Sequence, residues 1–91
     1  MTRYESIVRT LVEPLVSDKA ALLIRETKND DAKSVTVNVF AAKNDIAILI
    51  GRKGSVATAL RETLSIAGKQ DNIHVFLKLE GLGEEKEEDG E

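Results

Sequence analysis

Leu49-Ile50-Gly51-Arg52-Lys53-Gly54-Ser55-Val56 is the stretch on which the reading of the chain turns. Two glycines stand three apart with two cations between them. An apolar run, Ile46 to Ile50, leads in, and an amphipathic pattern, Val56 to Ala67, leads out. Glycine enters the left-handed conformation beyond a helix end without a Cβ penalty, so Gly51 predicts the stop of a short helix. Gly54 lets a phosphate or a second backbone come close where the next helix begins. A helix start presents unpaired N–H groups and a partial positive charge, which together favour an anion. Arg52 and Lys53 then sit at the tip of a tight turn between two helices. The local chemistry is that of a phosphate clamp, and a nucleic-acid backbone is the polyanion it suits best. A bare G-x-x-G is weak evidence, since a plain tight turn with two exposed cations has the same sequence.

The flanks say where that turn belongs. Downstream, Val56, Leu60, Leu64 and Ala67, with Ala59 and Thr63 beside them, predict the inner face of a helix over Ser55–Gly68 that Gly68 ends. Thr58, Arg61, Glu62, Ser65 and Lys69 fall on its wet side. Ile73, Val75, Leu77 and Leu79 then alternate with His74, Phe76, Lys78 and Glu80, a strand pattern. Upstream, Asn44 is the better cap for the short helix, which starts there or at Lys43, and Asp45 suits its positive end. Val35, Val37 and Val39 alternate with Thr36, Asn38 and Phe40, and Ala21–Thr27 predicts a second strand. The short polar loop Lys28–Lys33 joins these two as an antiparallel hairpin. Tyr4, Ile7, Val8, Leu11, Val12 and Leu15 mark an apolar face on a first helix, which Pro14 kinks or restarts near Glu13.

The predicted order is helix, strand, strand, helix, glycine turn, helix, strand. Two helices between the second and third strands leave room for a parallel crossover. The expected fold is α+β, a three-stranded mixed sheet with three helices on one face. Thr36, Asn38, Phe40, His74, Phe76 and Lys78 are then left on the other.

Composition bounds the function. Ninety-one residues make one domain. The chain holds no cysteine, so a disulfide framework and a thiolate metal site are excluded, and a lone His74 is poor metal-site material. No nucleophile–base set can be assembled, and Gly51–Ser55 lacks the spacer and ending of a Walker A loop. Neither an enzyme nor a cofactor is expected. No apolar run of membrane-spanning length and no secretion signal is present, which points to a cytosolic protein. Net charge is −3, unevenly spread. Residues 84–91 hold six acids and one lysine, or −5, and residues 1–83 hold twelve cations against ten acids, or +2. The segment 84–91 is expected to be a disordered acidic tail. A body of +2 is a weak polyanion magnet, so the basic tip outweighs the overall field.

Ile-Gly-Arg-Lys-Gly between two helices, in this element order, resembles the KH domain in its bacterial, type II form. Length and layout are similar to the stand-alone bacterial KH proteins of the KhpA (YlqC) group. Asp45-Ile46, Leu49-Ile50-Gly51, Arg52-Lys53-Gly54, Val56-Ala57 and Leu60-Arg61 match that group's pattern, and Val12-Glu13-Pro14-Leu15-Val16 is similar to its first-helix ending. The resemblance covers nearly all of residues 1–83 and implies a type II KH fold, order α-β-β-α-α-β. It implies single-stranded RNA as partner, a small RNA chaperone or regulator, and a homodimer or a pairing with a larger KhpB/Jag-like protein. It also implies an effect on cell elongation or division in some bacteria. Carried over, the RNA-contacting residues are Ile50, Gly51, Arg52, Lys53, Gly54, Ser55 and Arg61. Ala47 and Ile48 depart from the pattern, standing where the group often has a glycine and a basic residue. A different class competes: a non-catalytic adaptor that uses the fold for dimerisation, with RNA contact weak or supplied by its partner.

Overall fold

The strand Ser34–Ala41 is the spine of the molecule, and from Val35 onward its burial alternates. Val35, Val37, Val39 and Ala41 are buried, while Thr36, Asn38 and Phe40 alternate with them on the more open face. The computed structural model describes residues 2–82, so the expected acidic tail lies outside the described residues. The elements are α1 (Arg3–Val12), β1 (Leu23–Lys28), β2 (Ser34–Ala41), α2 (Lys43–Ile50), α3 (Ser55–Asp71) and β3 (His74–Gly81). β2 is central, antiparallel to β1 and parallel to β3, with Ile24 opposite Val39 and Val37 opposite Leu77. This is the α+β architecture the sequence predicts. Val8, Val12, Val37, Val39, Leu49 and Leu64 are its largest fully buried apolar side chains. Among the described residues, no helix is long and apolar enough to cross a membrane.

The first helix departs from its predicted face. Tyr4, Val8 and Val12, spaced four apart, form the buried stripe, whereas Leu11 and Leu15 are exposed. A helix can turn only a limited arc inward, and Leu11 falls on its flank. Leu15 lies beyond the helix, in a 3-10 turn over Glu13–Leu15 that Pro14 starts, and that change of path sends Val16 into the core instead. At the other end, Thr2 and Glu5 form a reciprocal capping box. The Tyr4 hydroxyl donates to Asp71 at the end of α3, and Arg3 pairs with the same carboxylate at 2.7 Å. Burial and that hydrogen bond push the Tyr4 phenol up to about 12.

Three element ends are set by side chains that periodicity does not report. β1 begins at Leu23 rather than Ala21, because Asp18 accepts from the Ala21 N–H and caps a 3-10 turn over Lys19–Ala21. α2 begins at Lys43 with Ala42 at its cap position, and neither Asn44 nor any other side chain caps it. Asp45 lies in the first turn of α2, as expected, and its side chain also turns inward. It is 1% exposed and accepts the Ser17 and Asp18 N–H groups at 2.9 and 3.0 Å. These two bonds hold its carboxyl below the usual range and tie α2 to the segment entering β1.

α3 runs three residues past Gly68 and ends where Asn72 takes a left-handed conformation, φ 58°. Gly68 is buried inside the helix. A Cβ there would lie 2.3 Å from the Ile73 carbonyl oxygen and 2.9 Å from Val75 Cγ2. Glycine stands at this position for close packing of α3 on β3, not for termination. The buried stripe of α3 runs through Ala57, Leu60, Leu64 and Ala67, and the predicted neighbours Ala59 and Thr63 are exposed. Gly68→Ala gains about 1 kcal/mol of helix propensity. It loses more to overpacking, of which about 1–3 kcal/mol is usual and a backbone clash sits at the upper end. The expected net is a loss of about 1–2 kcal/mol, or roughly 5–15 °C in melting temperature, read by circular dichroism. A variant that melts higher than the parent would show that the close contact is absent.

Candidate nucleic-acid interface

α2 and α3 meet at the glycine turn. Gly51 takes φ 79°, ψ 172°, and its N–H closes the last bond of α2 on the Ala47 carbonyl at 3.0 Å. Arg52–Gly54 forms a single 3-10 turn, with the Gly54 N–H donating to the Gly51 carbonyl at 3.1 Å. Lys53 itself sits at φ 55°, ψ 28°, a left-handed conformation that non-glycine residues seldom adopt. Gly54 follows at φ 78°, ψ 13°. The chain therefore has positive φ at three of four consecutive residues, which folds the turn tightly and thrusts its apex out.

Arg52, Lys53 and Ser55 are exposed there, and Ile50 is 42% exposed beside them. Among the described residues, neither the Arg52 nor the Lys53 side chain has an ion pair or hydrogen bond. No side chain caps the N-terminus of α3, a helix of 17 residues, so the positive end of its dipole lies open to an anion. The two glycines differ in surroundings. A Cβ on Gly51 would strike Val56 Cγ2 at 2.6 Å and Val56 N at 2.7 Å, whereas one on Gly54 would meet nothing within 4 Å. Gly51 packs the turn against α3, and Gly54 leaves an open approach from outside.

Six of the seven predicted residues, Ile50 to Ser55, are contiguous on this turn. The seventh, Arg61, lies two helical turns along α3 and borders a groove of about 380 Å³ between α3 and the edge strand β3. Ser65 and Lys69 repeat at four-residue steps behind it on the same wall. Ile73, His74, Val75, Phe76 and Leu77 form the other. Lys69 reads in the sequence as a plain solvated residue and Ser65 carries no signal, yet the spacing 61, 65, 69 is what puts a helix stripe along one groove. The departure at Ile48 has a simple geometry: Leu49 is the fully buried apolar residue of α2, and Ile48 and Ile50 both face outward, at 45% and 42% exposed.

The family model for the KhpA/KhpB KH domain matches residues 5–79. The chain belongs to the KhpA/KhpB KH-domain family. Its relatives include proteins named RNA-binding protein KhpA from Listeria monocytogenes serovar 1/2a and Listeria innocua serovar 6a. Each is 25% identical over 75 residues, covering 82% of this chain and 96% of the relative. The same figures hold for the protein of that name from Listeria monocytogenes serotype 4b. No solved structure matches. The matched span of this KH domain runs from α1 into β3 and contains the glycine turn and the groove.

Proposed function

We propose that this KH domain binds single-stranded RNA in the cytoplasm without catalysing a reaction, clamping the sugar-phosphate backbone at Gly51-Arg52-Lys53-Gly54. The observation that carries the reading is a pair of cations, without a partner among the described residues, at the apex of a positive-φ turn set over the start of α3. The curated relatives' printed name, RNA-binding protein, supports it from outside the geometry. Gly54 gives the phosphate close approach, Arg52 and Lys53 supply charge, Ser55 supplies a hydroxyl, and Ile50 offers an apolar floor for a base. Arg61 extends the cationic track. In this family the G-x-x-G loop clamps about four nucleotides. With a body of only +2, one copy binds weakly, and a small RNA chaperone or regulator of this kind gains affinity as a homodimer or beside a larger KH-containing partner, through effective concentration.

A titration of a fluorescein-labelled eight-nucleotide oligouridine, followed by anisotropy at several salt concentrations, tests the reading. Each phosphate contact to a single strand contributes about −0.7 to the log–log salt slope, so two to three contacts give roughly −1.4 to −2.1. The adaptor reading has its own support in the exposure of Ile48, which α2 turns away from the core. Light scattering on the same samples separates the two. A flat anisotropy from a protein that runs as a stable dimer would replace the RNA clamp with the adaptor.

A further inference from the structure

β3 ends near the glycine turn, and the acidic segment 84–91 follows it directly in the chain. The strand stays paired to its last residue, with Gly81 opposite Ala41, and the Leu82 N–H donates to the Ala41 carbonyl at 2.8 Å. Lys43, two residues after Ala41, begins α2, the helix that runs into the turn. The path from Gly81 across to Ala41 and along the eight residues of α2 therefore bounds the distance from Gly81 to Gly51 at ~25 Å. α3 gives the same placement from its side. Asn72 and Ile73 link it to β3, so helix and strand run antiparallel, and Gly68 packs against Val75. From Gly68 back to Ser55 the helix rises ~20 Å at 1.5 Å per residue. From Val75 on to Gly81 the strand advances ~20 Å at 3.3 Å per residue. The start of α3 and the end of β3 thus stand level.

Residues 83–91, nine in number, span ~30 Å when fully extended, enough to cover that distance. Six carboxylates and one ammonium within residues 84–91 give a charge of −5. At the turn, Arg52 and Lys53 are exposed and, among the described residues, have neither an ion pair nor a hydrogen bond. A run of carboxylates offers these cations what a phosphate backbone offers, anionic oxygens at successive positions along a linear chain. Tethering also raises the local concentration of such a competitor to the order of mM. We propose that the acidic segment 84–91 docks in cis on the Arg52–Lys53 apex of its own chain and competes there with RNA. This rests on the RNA reading above and adds regulation to the same site. A strand that engages the turn alone has to displace the segment, whereas a strand held also by a second copy or a partner displaces it readily.

The test neutralises the segment within the full chain by Glu84→Gln, Glu85→Gln, Glu87→Gln, Glu88→Gln, Asp89→Asn and Glu91→Gln, which takes its charge from −5 to +1. Amide chemical shifts of parent and variant, compared without RNA, read the docking itself. Differences are expected at Gly51–Ser55, and they should vanish as the Debye length falls from ~10 Å at 0.1 M salt to ~3 Å at 1 M. In anisotropy titrations of an eight-nucleotide oligouridine at ~0.1 M salt, the variant is expected to bind roughly three- to tenfold tighter, the effect of about two exposed ion pairs. That ratio should shrink as salt rises. Shift differences confined to Lys43 and Asn44 place the segment at the start of α2 and overturn the proposal. Tighter binding with unchanged shifts at the turn means that the segment acts through net charge alone, and overturns it too. Shift differences that grow with protein concentration assign the contact to a second copy rather than to the same chain, again against the proposal. Equal affinities of parent and variant overturn the competition. If neither protein binds the strand, the RNA reading fails and the competition with it, whereas the docking is still decided by the amide shifts.

Discussion

Replacing Arg52 and Lys53 together by Asp is expected to weaken RNA binding at least about 100-fold while moving the melting temperature by only a few degrees. A hydrogen bond to a charged group contributes about 1.5–3 kcal/mol, so two lost phosphate contacts amount to roughly 3 kcal/mol or more, or about two decades in affinity. Reversed charges add repulsion to that loss. Stability is spared because both side chains are exposed and, among the described residues, neither has a partner to lose; such surface changes stay within about ±0.5 kcal/mol. Lys53 already sits at positive φ, and Asp tolerates that region better than most residues, so the turn keeps its shape. Anisotropy and a thermal melt on the same preparation check both halves. Undiminished affinity removes the clamp, and a collapse in melting temperature means that the apex carries part of the fold.

That separation of binding from folding explains which parts of the molecule are legible in the sequence. Helix, strand and sheet order follow from apolar spacing, because the core of a small domain has to be assembled from residues that recur at the right period. The glycine turn is legible because glycine at two fixed positions between helical runs leaves few other conformations. What escapes is anything decided by a partner distant in sequence. Gly68 looks like a helix stop until the Ile73 carbonyl is seen lying against it. Asp45 reads as an acid in the first turn of α2, which it is, but its acceptance of the Ser17 and Asp18 N–H groups leaves no trace in the pattern. Leu11 and Leu15 fit the apolar period of α1, and only the path imposed by Pro14 leaves Leu15 outside. The groove between α3 and β3 belongs to the same class, since its two walls are read in the sequence as two unrelated patterns.

Gly51→Ala is expected to be the most damaging single substitution in the turn, at about 3–5 kcal/mol and roughly 15–30 °C of melting temperature. Two costs combine. At φ 79°, ψ 172° the backbone occupies a region that is essentially glycine's own, which costs another residue about 1–3 kcal/mol. The new methyl also meets Val56 Cγ2 at 2.6 Å and the Val56 nitrogen at 2.7 Å. The backbone nitrogen cannot swing aside as a side-chain end would, so α3 has to shift. Gly54→Ala is the control. It carries left-handed strain of about 1–2 kcal/mol and no collision, because nothing lies within 4 Å of the added methyl. If a phosphate passes over Gly54, however, that open space is where it travels. Gly54→Ala should then lose RNA affinity out of proportion to its small melting shift, whereas Gly51→Ala loses both together. Circular dichroism melts and anisotropy titrations on the two variants, taken below the lower melting temperature, resolve the difference. Equal melting losses would mean that the contact between the turn and Val56 does not hold the helices together. Full RNA affinity in Gly54→Ala would mean that the strand does not cross the turn at that point.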